Sequence, residues 1–91
     1  MGAARNPPPR TDSIKIYQVV RRGTMWHVHM PDATPGVRPS ADKLDIVSWA
    51  RETAKGNNGT VHVRDIGGAI ETIYSYVDGV EHVRRNFAGT R

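Results

Sequence analysis

The chain has 91 residues, no cysteine and a formal net charge of +4. That length predicts one domain, which buries only about 60–65% of its unfolded surface and so has a thin stability margin. Absence of cysteine excludes disulfides, thiolate metal sites and cysteine nucleophiles, and leaves oligomerisation as the expected supplement.

Residues 1–13 hold Pro7, Pro8 and Pro9 with Arg5 and Arg10. Consecutive prolines cannot pair in a sheet and favour polyproline II, so this segment reads as an extended basic arm. Residues 14–21 are rich in β-branched and aromatic side chains and predict a strand. Ile14, Ile16 and Val20 fall on one face, Tyr17 and Val19 on the other. Arg22-Gly23-Thr24 supplies a turn. Residues 25–30 then alternate, with Trp26, Val28 and Met30 on one side and Met25, His27 and His29 on the other. The two runs predict an antiparallel hairpin. Pro31, Pro35, Gly36 and Pro39 mark residues 31–39 as a rigid loop.

Ser40 reads as an N-cap, with Asp42 in the first turn opposing the positive end of the helix dipole. The helix carries its apolar stripe at positions 43, 46/47, 50 and 53/54, with Ile46, Val47, Ala50 and Ala54 on it and Asp45, Ser48 and Glu52 outside. Gly56 stands where a left-handed residue ends a helix. Residues 60–65 alternate again, with Val61 and Val63 inward. Ile66-Gly67-Gly68 reads as a tight turn. Residues 69–77 predict a further strand, with Ile70, Tyr74 and Tyr76 on one face and Ile73 on the other. Asp78-Gly79 is another turn, and residues 80–83 a short edge piece. The order is β-β-α-β-β: an α+β fold with one helix on a four-stranded, mainly antiparallel sheet. The domain spans residues 14–83 and a basic tail spans 84–91.

This ordered set resembles a family of small prokaryotic domains, domain-of-unknown-function family 2188. The residues that carry the resemblance are Val19-Val20, Trp26-x-Val28, the helix entry at Ser40, Trp49-Ala50-Arg51 with Ala54, Gly59 before Val61-x-Val63, Asp65, and Tyr74-Ser75-Tyr76. It covers roughly residues 17–76. Two departures stand out: the longer, proline-rich loop 31–39, and Ile66-Gly67-Gly68 in place of a simpler Asp-Gly turn. The resemblance implies a compact fold and no assigned activity.

Charge is unevenly spread along the chain. Residues 14–83 hold eight basic side chains (Lys15, Arg21, Arg22, Arg38, Lys43, Arg51, Lys55, Arg64) and eight acids (Asp32, Asp42, Asp45, Glu52, Asp65, Glu71, Asp78, Glu81). The excess therefore sits in Arg5, Arg10, Arg84, Arg85 and Arg91, against Asp12. Basic arms hold nucleic acid by counterion release, and equally serve as solubilising tails. Arg64, with Tyr17, Tyr74 and Tyr76, would suit base stacking on a sheet, although strand aromatics more often form cross-strand pairs.

The histidines raise the question of metal. His27 and His29 are two apart on one strand face, and His62 is on another strand. Three imidazoles can bind zinc, but no carboxylate or cysteine stands beside them at ligand spacing, and exposed polar positions on an amphipathic strand explain them as well. No cofactor is expected. Catalysis needs a nucleophile with a base against it, and Ser40, Ser48 and Ser75 have none in their surroundings. Asp42 and Asp45 sit on an exposed helix face, not as an acid–base pair.

The sequence thus reads as a non-enzymatic interaction module. A single helix covers one face of the sheet and leaves the other for a partner protein or a second copy. Trp49, beside the helix stripe, is either an interface anchor or the rim of the core, and Tyr17, Tyr74 and Tyr76 are the other interaction candidates. The alternative is a nucleic-acid accessory protein using the basic arms. No apolar stretch approaches the ~18–20 residues that span a bilayer, and residues 1–10 lack the apolar core of a signal peptide. A cytoplasmic homodimer with no membrane partner is the expectation.

Overall fold

The computed structural model describes residues 15–32 and 34–85. The expected arm at 1–13, with Arg5 and Arg10, lies outside these residues, as does Arg91. The described chain is an α+β fold: β1 (Ile16–Arg22), β2 (Met25–His29), α1 (Lys43–Lys55), β3 (Thr60–Arg64), β4 (Ile70–Val77) and β5 (Val80–Arg85). Among the described residues no helix is long and apolar enough to cross a membrane.

The sheet has five strands, in the order β2-β1-β3-β4-β5. This corrects the expected four: residues 80–85 form a full strand, which continues through Arg84 and Arg85, the first residues of the expected tail. Asp78 (φ 52) and Gly79 (φ 81) make the two-residue turn that brings Val80 opposite Val77, because left-handed backbone at both central positions matches the twist of a hairpin. The sheet is also mixed, since β1 and β3 run parallel at its centre. A parallel pair needs a crossover, and α1 supplies it. The parallel register aligns Tyr17 with Val61 and Val19 with Val63, so the apolar faces of the two hairpins meet under the helix.

The core forms on that side. Ile46, Val47, Ala50 and Ala54 of α1 are buried against Tyr17, Val19, Trp26, Val61, Val63 and Tyr76. Ala50 and Ala54 are fully covered, and their small side chains let the helix sit close to the strands. The expected stripe is buried at Ile46, Val47, Ala50 and Ala54, while Lys43 and Thr53 at its margins are half-buried and Leu44, just off it, is 72% exposed.

Both helix ends differ from expectation. The N-cap is Asp42, whose carboxylate accepts from the Leu44 amide at 3.0 Å. Ser40 lies too early because its backbone is committed elsewhere. Its N–H and C=O bond Trp26 on the outer edge of β2, at 3.1 and 2.7 Å, and its hydroxyl accepts from the Asp42 amide. At the other end Gly56 keeps a helical φ of −72. The left-handed residue is Asn58 (φ 57), a side chain that tolerates this region. The chain can then turn under the sheet because Gly59 has no side chain. A Cβ there would lie 3.0 Å from the Lys15 carbonyl and 3.0 Å from the Tyr17 ring.

Candidate functional site

Cross-strand pairing sorts every strand residue onto one of two faces. Tyr17 and Tyr76 face the helix and are 2% and 3% exposed. Tyr74 is half-buried and packs against the same core. The three tyrosines therefore do not lie on the uncovered face, which corrects the expectation of an aromatic surface there. Their rings are occupied by the core and by the Arg51 guanidinium, which stacks 4.5 Å above Tyr74. Trp49 is half-buried at the rim of the core.

One polar cluster sits on the helix side. Arg51 donates to Glu81 Oε1 from Nη2 at 2.7 Å and from Nε at 3.1 Å, and the Tyr76 hydroxyl donates to the same oxygen at 2.6 Å. The hydrogen bonds from Tyr76 and Arg51 hold Glu81 below the usual carboxylate range. Burial, then donation to Glu81, pushes Tyr76 up to about 12. A phenol so weakly acidic keeps its proton at neutral pH and is no general base. With Ser48, Glu52 and Lys55 the cluster lines an open cleft of about 310 Å³. Its hydrogen bonds tie α1 to β4 and β5.

Among the described residues nothing covers the opposite face, and charge collects there. Its central row runs His29, Gln18, His62, Ile73 and Arg84 across all five strands. The adjacent row places His27, Val20, Arg64 and Ile70 together, and Arg64 donates to Gln18 Oε1 at 3.0 Å and to the Gly68 carbonyl at 2.9 Å. On the other side of the central row stand Ile16, Thr60, Ser75 and His82. Arg22 follows at the β1 end. All four histidines of the chain and three arginines thus share one face.

The acids are elsewhere. Glu81 is held by Arg51, Glu71 reaches Lys43 at 2.8 Å, and Asp32 reaches Lys15 at 3.4 Å. Asp42 and Asp45 belong to the start of the helix, Glu52 to its body, and Asp65 and Asp78 to turns. A domain neutral by count is therefore polarised by face. His62 reports this field: partial burial and then the charge of Arg64 hold its imidazole below the usual value.

This geometry also bears on metal. His29 and His62 flank Gln18 in one row, roughly 10 Å apart across two strand spacings, too far to share an ion. Among the described residues no group of three side chains is placed to hold a metal. Of the residues proposed for nucleic acid, Arg64 and Arg84 lie on the uncovered face, while Arg85 lies on the opposite side of β5, in register with Thr72.

The periodicity of each strand implied an uncovered face. What it did not reveal is that His82 and Arg84 extend that face, because residues 80–85 did not read as a full strand. Compared with known protein families, with curated proteins and with solved structures, the chain finds no match.

Proposed function

We propose that the protein is a non-catalytic module that binds single-stranded nucleic acid on the uncovered face of its sheet. One observation carries the reading: Arg22, Arg64, Arg84 and four histidines lie on that face with no acidic strand position among them. Arginines meet phosphates with forked donors, and imidazole and guanidinium planes stack on unpaired bases. Between them Ile16, Val20, Ile70 and Ile73 give an apolar floor on which bases can lie. An open five-stranded surface suits an extended strand better than a duplex groove, into which a helix or ribbon must project. The same charge opposes packing two copies face to face, since Arg64 and Arg84 would meet their own kind.

The test is titration of the full chain with a labelled oligonucleotide over a range of salt. Three phosphate contacts to a single strand give a slope of log K against log salt of about −2. Replacing Arg22, Arg64 and Arg84 together with Gln should abolish the salt-dependent binding while the circular dichroism stays native. Binding that survives this change, and disappears when Arg5, Arg10 and Arg91 are replaced instead, would assign the activity to the arms.

A further inference from the structure

The two edges of the sheet are not equivalent. In each outer hairpin a two-residue turn closes on a pair that exchanges both of its hydrogen bonds, Arg22 with Met25 and Val77 with Val80. The next residue outward must then turn its N–H and C=O away from the sheet. On β2 that residue is Trp26, and its outward groups are taken by Ser40. Loop 31–39 returns to close this edge. On β5 the equivalent residue is Glu81, followed by Val83 and Arg85. Among the described residues nothing pairs with this edge, and all six residues of β5 are exposed.

We propose that β5 pairs antiparallel with β5 of a second copy, in the register that sets Val83 against Val83 on a two-fold axis. The outward-facing residues 81, 83 and 85 then meet residues 85, 83 and 81 of the second copy. Symmetry makes this one of few registers in which outward groups meet outward groups, and side-chain chemistry singles it out. Glu81 faces Arg85 on both sides of the axis, and opposite charges in direct cross-strand register are stabilising. The three hydrogen bonds on Glu81 all fall on Oε1, which leaves Oε2 for the second copy. Arg85 has no ion-pair partner among the described residues. Val83, 44% exposed, covers its own copy at the centre. Moving the register by two residues sets Val83 against Arg85 or Glu81, and sets Arg84 or His82 against itself on the axis. The strand has no proline, and the charges on its helix side, Glu81 and Arg85, are of opposite sign and complement each other only in a register that sets them face to face. The product is one continuous ten-stranded sheet with both uncovered faces on the same side. This proposal stands whether or not those faces bind nucleic acid.

Sedimentation equilibrium of the full chain tests it. The wild type should show twice the 10.1 kDa of one chain at tens of micromolar. Val83→Pro removes an amide that points away from β4, so the hairpin keeps its hydrogen bonds and the chain should sediment as a folded monomer. Arg85→Glu and Glu81→Lys should each weaken the dimer at least ten-fold when alone. Mixed, they should re-form a heterodimer. The Glu81 kept by the first variant then meets the Arg85 kept by the second, and the two introduced charges, opposite in sign, meet each other. A wild type that stays at single-chain mass at several hundred micromolar overturns the proposal, as does a dimer that Val83→Pro leaves intact. Failure of the two folded charge variants to complement overturns the register.

Discussion

Tyr76 shows how one side chain links helix, sheet and edge. Its ring fills the core and its hydroxyl donates to Glu81 at 2.6 Å. Folding raises its pKa to about 12 from 10.0, so the folded state holds a proton that the unfolded chain releases. Stability from this source is therefore full below pH 10 and is lost as pH rises from about 10 to about 12. Tyr76→Phe should remove that alkaline dependence, at a cost of about 1 kcal/mol near neutrality for the lost hydrogen bond. Urea titrations of both proteins at pH 8 and pH 11 measure both effects. The ion pair beside it counts for less. Arg51 and Glu81 are 39% and 32% exposed, and pairs so open contribute about 0.2–1 kcal/mol.

At the scale of elements, α1 separates what pattern reveals from what it hides. Ile46, Val47, Ala50 and Ala54 were legible as the buried stripe because spacing alone puts them on one side of a helix. The cap was not. Ser40 and Asp42 are both good capping residues, and only the pairing of Ser40 with Trp26 removes Ser40 from the role. Asp42→Ala should thus lower stability by about 1 kcal/mol, or a thermal midpoint by about 4–8 °C. Ser40→Ala should have a smaller effect, because its structural bonds are made by the backbone and survive. Calorimetry on the two variants distinguishes the cap from the bridge. The same logic applies to β5. Its residues alternate too weakly to declare a strand, since neither face of an edge strand is deeply buried. Hydrogen bonding to β4 makes it one.

For the whole molecule the main result is the separation of charge. The helix side takes the acids into pairs with Arg51, Lys43 and Lys15, and the open side keeps arginine and histidine without them. This has a consequence in acid. Burial and Arg64 lower the pKa of His62, so the folded state resists a proton that the unfolded chain accepts from about pH 6.5 downward. Stability from His62 is complete above that value and falls as pH drops through the lowered one. The carboxylates Asp32 and Glu81, also lowered, lose their contribution only when pH falls below the ordinary carboxylate value and through the depressed one. His62→Gln should therefore flatten the stability profile just below about pH 6.5 and leave the steeper fall in the carboxylate range, as measured by denaturant midpoints across the range.

Local spacing determined much of this protein. Alternation set the faces of β1, β2 and β3 and of β4 from Thr72 onward, while the register shift at Val63/Arg64 moved Ile70 from the expected Tyr74 and Tyr76 face to that of Ile73. The 3.6-residue period set the stripe of α1, and Gly23, Gly68 and Gly79 marked turns that need positive φ. These are short-range properties, written within a few residues of one another. Tertiary structure alone decided the parallel pairing of β1 with β3, the closing of the β2 edge by Ser40, and the fifth strand. It also decided that Tyr17, Tyr74 and Tyr76 turn inward while the histidines and three arginines gather outside. Each of these depends on which strand lies beside which, and the pairing energy comes from partners distant in the chain. A count of charges along residues 14–83 is blind to it, because it cannot tell one face of a sheet from the other.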